Sequence, residues 1–148
     1  MALGDVQKEF GFKKGEVTLK TTTGCTKGFL LCYDTDGYAH ATRALYSTNI
    51  TYRPVVALET VTAPAAGQAA AEVLEEGVVD ILTSTSVCYE GQWMAISGTA
   101  GTVKLWSGFT THASTWNDQA SNLVSRMGYL MAGKAAKATF GTIRFLPQ

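Results

Sequence analysis

Hydrophobicity in this chain comes in short pieces, cut apart by glycine, proline and Asp-Gly before a helical period can establish itself. Glu16-Val17-Thr18-Leu19-Lys20 alternates polar and apolar, as a half-buried strand requires. Phe29-Leu30-Leu31-Cys32-Tyr33 is a brief apolar run, and Asp34-Thr35-Asp36-Gly37 supplies a hairpin turn before Tyr38-Ala39-His40-Ala41-Thr42 alternates again. Val-rich Pro54–Val61 reads as a strand between prolines. Val87-Cys88-Tyr89, Gln92–Ile96 and Thr102–Trp106 read as further strands, broken by Glu90-Gly91 and by Ser97–Gly101. Met127–Ala132 and Ala138–Leu146 flank Gly133–Lys137 and predict a closing hairpin. Many short strands among fifteen glycines point to an all-β domain, a sandwich or a small barrel.

One segment resists this reading. By propensity Ala69–Glu76 is the best helix in the chain, but eight residues make a marginal helix and an apolar run starts just past Gly77. The local signal leaves helix and strand both open.

The first fifteen residues differ from the rest. Asp5, Gln7, Lys8, Glu9, Lys13 and Lys14 surround Phe10 and Phe12, so residues 1–15 read as an N-terminal arm and 16–148 as the folded domain. Two aromatics in such a terminus suit docking onto a partner, the plain alternative being a disordered tail. No signal peptide is expected from this start, and no window approaches the ~18 apolar residues of a membrane helix. No membrane partner is therefore expected.

Charge is sparse, at 16% of residues, and twelve basic side chains cancel twelve acidic ones, which gives no reason to expect nucleic-acid binding. Its distribution is uneven. Residues 54–103 carry Glu59, Glu72, Glu75, Glu76, Asp80 and Glu90 with no Lys or Arg, whereas 104–148 carry Lys104, Arg126, Lys134, Lys137 and Arg144 against Asp118. Such segments can pair internally or across the head-to-tail contacts of a ring. With 46% hydrophobic residues, the composition suits a protein that spends surface on protein contacts.

Catalytic chemistry finds little to work with. His40 and His112 stand far apart, and no His/Cys cluster has the spacing of a zinc site. Cys25, Cys32 and Cys88 form no CxxC; free thiols are expected, with a Cys25–Cys32 bridge across a hairpin as the other arrangement. Asp34–Gly37 begins like a calcium loop but lacks the downstream bidentate Glu, and Gly98–Thr102 lacks the Gly-Lys ending of a phosphate loop. No catalytic residue, metal or cofactor is expected. Trp93 and Trp106 at strand positions suit packing, with sugar stacking as the functional alternative. Trp116, beside His112 in a polar loop, is a candidate interface anchor.

The stretch Val55-Val56-Ala57-Leu58-Glu59 through Ala65-Ala66-Gly67, followed by Val73-Leu74-Glu75-Glu76-Gly77-Val78-Val79, resembles a pattern of tailed-bacteriophage capsid decoration (cement) proteins. Gly128–Lys134 and the closing Thr142–Pro147 resemble how such chains finish, so the similarity spans roughly residues 28–147. The resemblance implies a small β-barrel or β-tulip-like sandwich with an extended N-terminal arm, which trimerises on the outside of the virion head. It implies the major capsid protein as partner, and it places Glu72–Leu82 in a strand with Gly77 as a bend or bulge. Phe10, Phe12, Lys13 and Lys14 would then dock the arm, and His112 and Trp116 would lie in a capsid-contacting loop. The alternatives are another virion part, such as a tail or fibre component, and a carbohydrate- or ligand-binding β module.

Overall fold

The computed structural model describes residues 3–5, 11–33, 39–40, 54–83, 89–96, 101–106, 126–132 and 140–146. Among them the regular elements are all strands: β1 (Phe12–Thr18), β2 (Leu30–Tyr33), β3 (Ala39–His40), β4 (Val55–Ala57), β5 (Ala70–Leu82), β6 (Trp93–Ile96), β7 (Val103–Leu105), β8 (Arg126–Leu130) and β9 (Phe140–Phe145). They form one antiparallel sheet in the order β3-β2-β4-β5-β9-β8-β6-β7, with β1 also on β5. The sheet curls until its ends meet. Leu30 N–H, at the start of β2, donates to the Gly101 carbonyl just before β7 at 2.9 Å, and Thr83 bridges Val103 in parallel. The result is a nearly closed barrel, the all-β class that the turn-rich sequence predicts.

β5 is the hub, and it settles the ambiguous segment as strand. A helix over Ala69–Glu76 would satisfy only its own backbone. As a strand, the same residues have partners on both sides: Ala70–Gly77 pairs with β1, Val73 and Leu74 pair with β4, and Gly77–Leu82 pairs with β9. Tertiary pairing therefore overrides helix propensity. The register slips once, between Lys13/Lys14 on β1, so that Glu75 is an extra residue bulged out of β5.

That bulge has a geometric effect. Side chains alternate faces along a strand, so one extra residue reverses which positions point inward. Before it, Ala71 and Val73 face a smaller core with Val17, Leu19, Cys25, Leu31, Val55 and Ala57. Leu74 and, past the bulge, Val79 and Ile81 face the barrel interior with Val56, Met94, Met127, Leu130, Ile143 and Phe145. One strand thus serves two cores. The reversal also turns Asp80 away from the interior, where it is nevertheless fully buried. Thr142 Oγ1 donates to Asp80 Oδ1 at 2.5 Å, while Oδ2 has no hydrogen-bond partner among the described residues.

The N-terminal segment departs from a simple arm that ends at residue 15. The strand expected from Glu16 starts at Phe12, and Gly4 N–H donates to the Asp80 carbonyl at 2.7 Å. Asp5 forms an ion pair with Lys27 at 2.9 Å. Residues 3–5 and 12–15 therefore lie along the chain's own β5 and the Lys27 turn. The acidic stretch finds cations here too: Lys13 pairs with Glu75 at 3.0 Å and Lys14 with Glu72 at 2.8 Å. These two pairs are internal, one of the two arrangements expected for the acidic segment, though the lysines are N-terminal rather than C-terminal.

Candidate interaction surface

The outward positions of neighbouring strands build a single polar and aromatic face. Met94, Ile143 and Phe145 point into the barrel, so their alternating neighbours Trp93 and Arg144 point out. Trp106 N–H donates to the Trp93 carbonyl, Trp93 is in register with Tyr129, and Tyr129 is in register with Arg144. A row Trp106–Trp93–Tyr129–Arg144 therefore crosses β7's end, β6, β8 and β9. The Trp93 and Tyr129 rings meet edge to face at 5.4 Å.

Arg126 sits within this row. Its guanidinium carbon lies 4.4 Å from the Trp93 ring centroid and 5.0 Å from that of Trp106. Among the described residues its buried Nε has no hydrogen-bond partner, so the ring faces supply the electrostatic compensation. Each contact of this kind is worth about 0.5–2 kcal/mol, depending on desolvation. Trp93 and Trp106 are thus partly packing, as their strand positions suggested. They also form, with Arg126 and Tyr129, a half-buried cluster of the residue types that dominate protein interfaces.

At its far end the face runs into a depression of about 250 Å³ lined by Gly11, Phe12, Lys13, Glu76 and Arg144. Phe12 is 42% exposed and carries the Lys14 ammonium 5.5 Å from its ring centroid. The structure thus brings three of the sequence-derived contact residues, Phe12, Lys13 and Lys14, together on β1. Phe10, His112 and Trp116 lie outside the described residues. Sequence reasoning missed Tyr89, which is 67% exposed beside the Glu90-Gly91 turn; a large aromatic next to a turn signal was the available clue.

No protein-family model matches the chain, and no curated protein matches it. Among solved structures, the N base of the head fiber gp8.5 of bacteriophage phi29 is similar, with a TM-score of 0.54 at 13% sequence identity. The match covers 90% of this chain and 95% of that one. What the two share is a fold over nearly their whole lengths.

Of the three thiols, Cys25 and Cys32 are buried among core residues, and Cys88 lies outside the described residues. Cys25 and Cys32 are free and buried, so the hairpin disulfide is absent. Burial raises the Cys25 thiol pKa, a hydrogen bond with the Val61 backbone opposes this, and the Glu59 carboxylate adds to the rise. Burial alone pushes Cys32 up to about 12. The folded state then holds the Cys32 proton at a pH where the unfolded chain, near the ordinary 9.0, has lost it. Stability is full below about pH 9 and should fall by about 1.4 kcal/mol per pH unit above it, until the folded thiol itself ionises. Urea unfolding of the wild type and Cys32→Val between pH 8 and 10.5 should show a steeper loss in the wild type; parallel slopes would remove this assignment.

Proposed function

We propose that this protein is a non-catalytic structural component of a bacteriophage virion, bound as a homotrimer to the outer surface of the head through the major capsid protein. The observation that carries the reading is the fold shared with a phage head-fiber base over 90% of the chain. The outward Trp–Arg–Tyr row supports it as an anchor of the right residue types for a protein partner. On sequence grounds Phe10, Phe12, Lys13, Lys14, His112 and Trp116 are assigned to capsid contact.

The mechanism needs no cofactor. A shell under internal pressure opens at the seams between capsomers. A trimer that binds across a seam stabilises the closed shell by its binding free energy and gives nothing to the burst one. Three copies held together act through effective concentration, so that individually weak contacts combine into a durable one. A second reading, the base of a longer head appendage, is favoured by the same neighbour, which is itself the N base of a fiber.

Antibody raised against the purified chain, used to immunogold-label virions of the phage that encodes it, tests both. Dense label over the whole head supports shell decoration. Label at a few fixed points on the head supports the appendage base, and unlabelled heads overturn both.

A further inference from the structure

The barrel brings its strand ends together, but β1 hangs off that closed path. Among the described residues it pairs with β5 alone. Leu19 N–H donates to Ala69 O at 2.8 Å, in register with the β1–β5 ladder. Backbone groups alternate sides along an antiparallel strand, so Gly15 and Val17 also turn theirs toward β5. Lys14, Glu16 and Thr18 turn their N–H and C=O groups outward, and all three residues are exposed. Among the described residues this is an open sheet edge of the kind that recruits another strand.

The charges along that edge are self-complementary. Within one chain Glu16 stands directly opposite Glu72, and Glu16 has no cation bound to it among the described residues. Lys14 is already on Glu72 at 2.8 Å. A second copy laid antiparallel with its two-fold axis at Gly15 would set Lys14 against the partner's Glu16, and Glu16 against the partner's Lys14. Phe12, 42% exposed, would fall opposite the partner's Thr18. One rotation therefore extends the sheet, supplies Glu16 with a cation twice and covers an exposed aromatic.

We infer that β1 is a homotypic docking edge, through which two copies of this chain join their sheets about a two-fold axis at Gly15. This contact is separate from any three-fold contact of the head-binding assembly. Light scattering of the full chain across a concentration series reads it directly. In the wild type, mass should rise with concentration toward a species with twice the starting number of chains. Glu16→Lys places lysine against the partner's Lys14 at both ends of the pairing and should weaken that step about tenfold or more. The same change sets lysine opposite Glu72 within the chain, so the thermal midpoint should not fall. Lys14→Glu combined with Glu16→Lys restores complementary pairs across the axis and should restore association. Glu16→Pro removes only an outward N–H and should abolish pairing in a folded protein. Constant mass up to millimolar concentration overturns the inference. So does a doubling step equally strong in the wild type and Glu16→Lys; a trimer that forms in both and does not double would overturn the inference and leave the head-binding reading standing.

Discussion

Gly128→Ala is expected to lower the thermal midpoint by roughly 10 °C, read by circular dichroism or differential scanning fluorimetry. Gly128 lies on β8 at φ +147°, in register with Phe145 on β9. A methyl group there would overlap the Arg144 carbonyl oxygen, which is backbone in a central strand and cannot swing aside. The strained φ and the overlap together cost about 4 kcal/mol or more. Gly67→Ala is the matching control. Its φ is +77°, but an added methyl meets nothing, so only the conformational cost of about 1 kcal/mol remains. Equal losses at the two positions would mean that β8 and β9 do not approach as closely as described.

Phe145→Ala should cost about 3–5 kcal/mol, visible as a lower urea midpoint with an unchanged slope. Phe145 is fully buried and is flanked in register by Gly128 on β8 and Gly77 on β5. Neither neighbour has a side chain on that row, so the phenyl ring is the main filler of the space between three strands. Removing it leaves a cavity that the adjoining glycines cannot fill. Phe145→Leu keeps most of the volume and should lose about 1.5 kcal/mol. A Phe145→Ala loss below about 1 kcal/mol would place the ring outside the core.

Legibility in the sequence followed burial. Leu30–Tyr33, Trp93–Ile96, Val103–Leu105 and Phe140–Phe145 stand out as strands because each buries apolar residues between turn signals. β1 is displaced from the expected strand because its first residues, Phe12-Lys13-Lys14, show solvent to both sides and owe their order to pairing with β5. Nothing local encodes that pairing: its acidic partners, Glu72 and Glu75, are some sixty residues away and sit in the one stretch that reads as helix. The resemblance of Val73–Val79 to decoration proteins implied strand where propensity did not, with Gly77 as the irregular point. The bulge falls two residues earlier, at Glu75, while Gly77 takes the unusual φ of +147°. For the outer face, Trp93 and Trp106 were visible singly, but only strand register could reveal Arg126 between them.

The thirteen residues of β5 also set the order in which the chain can fold. Their ladder partners run from Phe12 to Phe145, and Asp80 meets Thr142 across 62 positions of sequence. Almost no native pairing of this strand is local, so the chain must close large loops before either core rewards it. High contact order of this kind sets folding on the millisecond-to-second scale. The interior core lacks its central strand until Phe140–Phe145 has been synthesised, so barrel closure is a late event in the life of the nascent chain. During that interval the barrel-facing Leu74, Val79 and Ile81 lack the cover of β8 and β9, and the neighbouring Glu72, Glu75 and Glu76 put like charge on the segment, which opposes its pairing with other chains.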